Sequence, residues 1–269
     1  MGLNLLETEV NPNMQVFGLV HILYVVVGLG LAIPLAIFVA KRIGWNKRVF
    51  LIAGVLIFLG EATRTLLLVE EGDNGGWYLS PKYLPVHLCA MQVFLIFALA
   101  LAKKENTIKN LCAIMYPTLV AGAAMALLIP SPEGTDTFVS FLGFQFFASH
   151  SLLMFVGIYM YLTRPVKFDF KTYGIAIGFM AVSLIGALYL NAILGGAETN
   201  VNYWFVAYPP QDGLPLLNLD NGWGIYILNL ACLTIILISL TYVPVVVSYF
   251  LNKNKIVENH QIDIQNNIN

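Results

Sequence analysis

LPVHLCAMQVFLIFALALA, residues 84–102, contains no Asp, Glu, Lys or Arg and is as long as an apolar stretch must be to cross a bilayer. It nevertheless carries His87, Cys89 and Gln92 near its start. Polar and ionisable groups inside a membrane are costly, so each is a candidate functional residue.

The rest of the chain repeats the apolar pattern. Of its 269 residues, 58% are hydrophobic and 11% charged, and the mean hydropathy is +0.76. Soluble domains hold about a quarter charged residues, so the composition is that of a polytopic membrane protein. Seven runs are long enough to span: 16–40, 49–69, 84–102, 110–129, 143–163, 172–195 and 223–250. The expected fold class is all-α, with seven transmembrane helices in one domain over residues 1–252. The polar, Asn/Gln-rich 253–269 reads as a disordered tail. Pro117 predicts a kink in the fourth helix. The first run is too long for a cleavable h-region and is followed by Lys41 and Arg42, so it reads as a retained helix.

Charge orients these helices. The 41–48, 103–109 and 164–171 connections and the tail hold twelve of the fourteen Lys and Arg, and the alternate connections are acidic or neutral. The positive-inside rule then places the N-terminus outside and the C-terminus in the cytoplasm. The net charge of −1 suggests no nucleic-acid partner. Protein partners cannot be read, and membrane lipids are the expected surroundings. Cys89, Cys112 and Cys232 all fall in apolar runs and make neither a disulfide framework nor a zinc spacing, so no cofactor and no metal ligand set is assigned.

This topology fixes depth. At about 1.5 Å per helical residue, His21, Glu61, Arg64, His87, Cys89, Gln92, Gln145, His150, Asn191 and Asn229 all fall in the outer half of the bilayer. Polar groups at one level on several helices read as one internal pocket. Each also has a plainer reading. A single intramembrane His is often a packing residue bonded to a neighbouring helix. Glu61 and Arg64, at i and i+3, are placed to neutralise each other. His87 and Cys89, two apart, point to different faces of a regular helix, which counts against a Cys–His dyad within it. Gly174 and Gly178 in the sixth run, and Ala121–Ala124 in the fourth, suit close helix contacts. The aromatics of the 197–222 loop read first as headgroup anchors and second as part of a lid.

The 84–94 stretch, with FxxxHxxY at Phe17, His21 and Tyr24 and FASHSLL around His150, resembles the YwaF-type family of bacterial integral membrane proteins. That resemblance implies a multi-pass protein of a bacterial plasma membrane. More distantly the chain resembles an animal transmembrane phospholipid acyltransferase family that works through a Cys and a His. By that resemblance, the catalytic candidates are His150 as general base, with His87 and Cys89. His21, Glu61, Arg64, Gln92, Gln145, Asn191 and Asn229 would line the substrate pocket. Two other readings stay open: a binder or transporter of a small polar solute or divalent metal ion, and a non-catalytic assembly or sensor protein.

Overall fold

The computed structural model describes residues 16–71, 75–130, 140–163, 167–195, 200–211 and 213–248. The tail expected from residue 253 lies outside them. The described residues form seven α-helices: α1 (Leu19–Ile43), α2 (Lys47–Leu67), α3 (Leu88–Leu101), α4 (Glu105–Leu128), α5 (Phe141–Thr163), α6 (Phe170–Leu194) and α7 (Trp223–Thr241). A small outer hairpin pairs β1 (Val69–Glu71) antiparallel with β2 (Trp77–Leu79). Two 3₁₀ turns, Pro81–Tyr83 and Tyr203–Phe205, complete the set.

Six of the seven helices are long and apolar enough to cross a membrane, and α3 is not. At 14 residues it is about 21 Å long, against roughly 30 Å of hydrocarbon. This corrects the expectation of seven full-length helices. The 84–102 run is apolar throughout, but Pro85 fixes its own φ, lacks an N–H and biases Leu84 to extended backbone. Helix therefore begins only after His87, which is the extended N-cap. Pro117 does not end α4, which runs on as one element to Leu128.

The bundle is built around α4 and α5. More than half of the apolar window of each is buried (56% and 61%), against 6% for α6. α5 packs along α1, α4 and α2; α3 sits between α2 and α4; α6 and α7 lie against the far side of α4. Phe50, Ile96, Met115, Leu119, Leu153 and Tyr159 form the centre of the core.

Local chemistry sets the turns. Gly44 closes α1 at φ +66, a conformation that favours glycine. Asn46 opens α2 by accepting the Arg48 N–H. Tyr159 staples this turn from α5, accepting the Asn46 N–H at 2.9 Å and donating to Gly44 O. α6 opens with a capping box: Asp169 accepts the Thr172 N–H while Thr172 Oγ1 accepts the Asp169 N–H.

Small residues bring helices together, in the fourth helix where Ala123 lies in the core and Gly122 faces Leu88, but not at the sixth-helix pair that the sequence pattern also marks. A Cβ at Gly28 would lie 2.2 Å from Ser151 Oγ, one at Gly54 2.9 Å from Ile96 Cγ2, and one at Gly157 2.7 Å from Val120 Cγ2. These are the close crossings of α1 with α5, α2 with α3 and α4 with α5. Gly174 and Gly178 have open space where a side chain would be, so they join no helix contact.

Candidate active site

The C-terminal end of α2 and the N-terminal ends of α3 and α5 bring charge together. Gly60 lets the helices approach: a Cβ there would sit 3.4 Å from Gln145 Cγ and 3.5 Å from Ser149 Oγ. Gln145 lies in that space, with Nε2 donating to Glu61 Oε1 at 2.7 Å and to Ser149 Oγ at 3.1 Å. The carboxylate is thus held across the helix interface by a neutral amide. The expected Glu61–Arg64 neutralisation is replaced by separate partners. Arg64 places its guanidinium carbon 5.9 Å from the centroid of the Tyr83 ring, within cation–π range.

His150 stands one residue beyond Ser149. Its Nδ1 lies 2.7 Å from Phe146 O, which can only accept, so Nδ1 carries the proton. In the neutral ring the lone pair is then on Nε2. His150 is in electrostatic reach of both Glu61 and Arg64, His87 of Arg64, and Cys89 of Glu61. These long-range couplings place His150, Glu61, Arg64, His87 and Cys89 in one neighbourhood, without a hydrogen bond between either histidine or Cys89 and the two charged groups among the described residues. His87 and Cys89 look to different neighbours, as their spacing predicts. The His87 ring lies against Tyr203 and Phe205, with centroids 5.5 and 5.8 Å away. Among the described residues no hydrogen bond joins the Cys89 thiol, which is free, to a histidine.

The segment around Tyr203 covers the His87 side. Tyr203 is 0% exposed, so it is no headgroup anchor. Its OH donates to Pro81 O, and Trp204 Nε1 donates to Val86 O at 3.0 Å. Those two carbonyls belong to the unwound segment before α3. Irregular backbone at membrane depth is tolerated where protein satisfies its polar groups, and these aromatics do so. Asn191 clamps the strap: its Nδ2 donates to Tyr203 O at 3.1 Å and its Oδ1 accepts the Tyr203 N–H at 3.0 Å. Trp204 and Phe205 hold left-handed φ of +58 and +56, strained for aromatic residues.

Four expected pocket residues lie elsewhere or are otherwise engaged. His21, 1% exposed, accepts the Phe17 N–H on Nδ1 and directs Nε2–H to Leu127 O, both at 2.8 Å. With both ring nitrogens on backbone, it ties α1 to α4. Gln92 donates to Thr118 Oγ1 at 2.8 Å between α3 and α4, and its buried Oε1 has no partner. Asn191 is occupied by the strap. Asn229 donates to Leu216 O at 2.8 Å in the outer loop. Ser149 and Tyr83 were not anticipated as neighbours of the site, and Tyr203 and Trp204 only through the second reading of their loop as a lid. The i, i+4 spacing of Gln145 and Ser149 was the available signal.

Glu61 also contributes to the wall of a mostly apolar, half-open cavity of about 340 Å³ between α2 and α3. Among the described residues no three His, Cys, Asp or Glu side chains converge as a metal-ligand set.

The TMEM164 family model matches residues 16–242. No curated protein and no solved structure matches the chain. The matched span begins just ahead of α1 and ends one residue past α7, taking in every helix and every residue of the charged cluster, so the chain belongs to the TMEM164 family of membrane proteins.

Proposed function

We propose that the Glu61–Arg64–His87–Cys89–His150 cluster is the active site of a lipid-ester enzyme, an acyltransferase or hydrolase of membrane phospholipids. The observation that carries this reading is His150: its Nδ1–H is fixed on Phe146 O, its Nε2 lone pair is free to take a proton, and a carboxylate and a guanidinium lie within electrostatic reach. That is the arrangement a general base needs.

In this scheme His150 Nε2 takes the proton of the nucleophile, either the Cys89 thiol or a water. The nucleophile adds to the ester carbonyl, and the oxyanion that forms is stabilised by Arg64 and the His87 ring. On collapse the ester C–O bond breaks and the lysolipid oxygen leaves with the proton from His150. On the thiol route, an acceptor hydroxyl or water then attacks the thioester, giving its proton to His150, and the thiolate is reprotonated. Gln145 and Ser149 hold Glu61 so that its charge favours the imidazolium. Asn191 acts through the strap that it holds over the His87 side, while His21, Gln92 and Asn229 fix helices and loop and take no part in the step. The scheme goes with seven spans, the N-terminus outside and a bacterial plasma membrane, as the charge pattern and the YwaF-type resemblance imply.

Lipid mass spectrometry on vesicles containing purified protein and a lysophospholipid tests it. Acyl redistribution or release should appear with the wild type and vanish with His150→Ala. Turnover that survives in the His150→Ala protein overturns the assignment. Cys89→Ser separates the routes: turnover is lost if the thiol is the nucleophile and kept if water is.

A further inference from the structure

The cluster is sheltered on one side and open on the other. On the His87 side, Tyr203 is fully buried and the strap is bonded at Pro81 O, Val86 O and Asn191. On the other side Glu61 forms part of the wall of the half-open α2–α3 groove. Its lining is apolar apart from Glu61 and Thr65. Along α2 it runs from Leu66 to Phe58, about 12 Å at 1.5 Å per residue. On α3 its wall includes Ala90, next to Cys89, and Phe94.

Charge marks the polar end. Arg64 lies one turn outward of Glu61. Of the fourteen Lys and Arg, only Arg64 and Lys82 fall outside the basic connections and tail. Both lie over the same Tyr83 ring, at 5.9 and 4.7 Å from its centroid. Tyr83 is two residues before Pro85, which lines the groove. Cations thus stand at the outer mouth, hydrocarbon lies beneath, and a carboxylate sits between. The volume of about 340 Å³ is at the small end of ligand pockets, roughly 300–1,000 Å³, and suits a single chain.

We propose that this groove seats one acyl chain of an outer-leaflet phospholipid, with its tail against Phe58 and Phe94, its ester at Glu61 and its phosphate toward Arg64. Substrate then reaches the cluster sideways from the bilayer, between α2 and α3, and not past the Tyr203 strap. The inference deepens the lipid-ester reading and rests on it for the chemistry, but occupancy can be measured without turnover.

The test uses the full chain in phosphatidylcholine vesicles doped with a phosphatidylcholine carrying a photoreactive diazirine midway along one chain. After irradiation, adducts are mapped by peptide mass spectrometry. Labelling should concentrate on 58–66 and 90–94. It should fall roughly tenfold in Ala62→Trp, which fills the groove, and partly in the smaller Ala62→Leu. Arg64→Gln should also weaken it, with Arg64→Lys restoring it. His150→Ala should label like the wild type. Thermal unfolding in detergent checks each variant; if Ala62→Trp does not fold, Ala62→Leu and Ala90→Leu carry the comparison. Labelling spread evenly over the exposed faces of α1 and α6, and indifferent to these substitutions, overturns the groove. Groove labelling with no turnover in any protein leaves the seat standing and removes the enzyme. Turnover without groove labelling does the reverse.

Discussion

At the scale of single residues, two buried histidines on neighbouring helices have different bonding. His21 has backbone on both nitrogens, whereas His150 has backbone on Nδ1. Replacing His21 with Ala should therefore cost stability: the Leu127 carbonyl and Phe17 N–H lose their partner, at about 1–3 kcal/mol. Replacing His150 with Ala should leave the unfolding temperature nearly unchanged and reduce turnover about 10²- to 10⁴-fold, the range of a general base. Thermal unfolding and lipid turnover measured on both variants check the pair. Asp169, at the entrance to α6 and outside the spanning segments, offers a pH test. The Thr172 N–H, with a smaller contribution from Lys171, holds its carboxyl below the ordinary carboxylate range. A depressed folded pKa stabilises above the unfolded value of about 3.9 and loses that contribution as pH falls through the folded one. Acid should thus lower the unfolding temperature of the wild type below about pH 4, and less so for Asp169→Asn, which keeps a cap without the titration. An expected depth was legible in the sequence from its charge asymmetry. Azimuth was not: His21 and His150 share an expected level, and only neighbouring helices decide which nitrogen meets backbone.

At the scale of elements, the third helix and the outer strap depend on each other. Pro85 was visible, but its effect on helix length was not, because an apolar run looks continuous whether or not its first turn forms. The strap's role was hidden for a related reason: Tyr and Trp near a membrane surface usually serve lipid headgroups, and here they bond backbone carbonyls of the segment before α3. Asn191→Ala should release the strap, exposing Tyr203 and loosening the 81–87 segment. Faster hydrogen exchange confined to 81–88 and 200–208 is the expected result. Helix crossings give a sharper contrast. Gly157→Ala drives a methyl to 2.7 Å from Val120 Cγ2 and should destabilise by about 1–3 kcal/mol. Gly174→Ala enters open space and should be neutral or mildly stabilising, up to about 1 kcal/mol through helix propensity. The sequence marked both as small residues, but spacing cannot say which face meets a partner. Unfolding curves of the two proteins in one detergent decide it.

At the scale of the whole molecule, the charge pattern and the helix count have to agree. With α3 crossing, every basic connection falls on one side; if α3 did not cross, the basic 103–109 connection would share a side with the acidic 70–83 loop. The expected outcome is that a single cysteine introduced at Gly76, in a background without Cys89, Cys112 and Cys232, reacts with an impermeant maleimide on intact cells, and one introduced at Glu105 does not. Labelling of Glu105→Cys from outside would remove α3 from the set of spans.

A helix of 14 residues also acts on the lipid around it. As a helix, α3 is shorter than the hydrocarbon slab by about 9 Å, and the extended 84–87 segment has to make up the difference. A bilayer meets any deficit that remains by thinning or by admitting water and headgroups. α3 forms one wall of the groove that includes Glu61. In the lipid-ester reading proposed above, a leaflet thinned beside α3 would bring ester carbonyls toward Glu61 and His150, so the enzyme would act on an ester without lifting the lipid out of its leaflet.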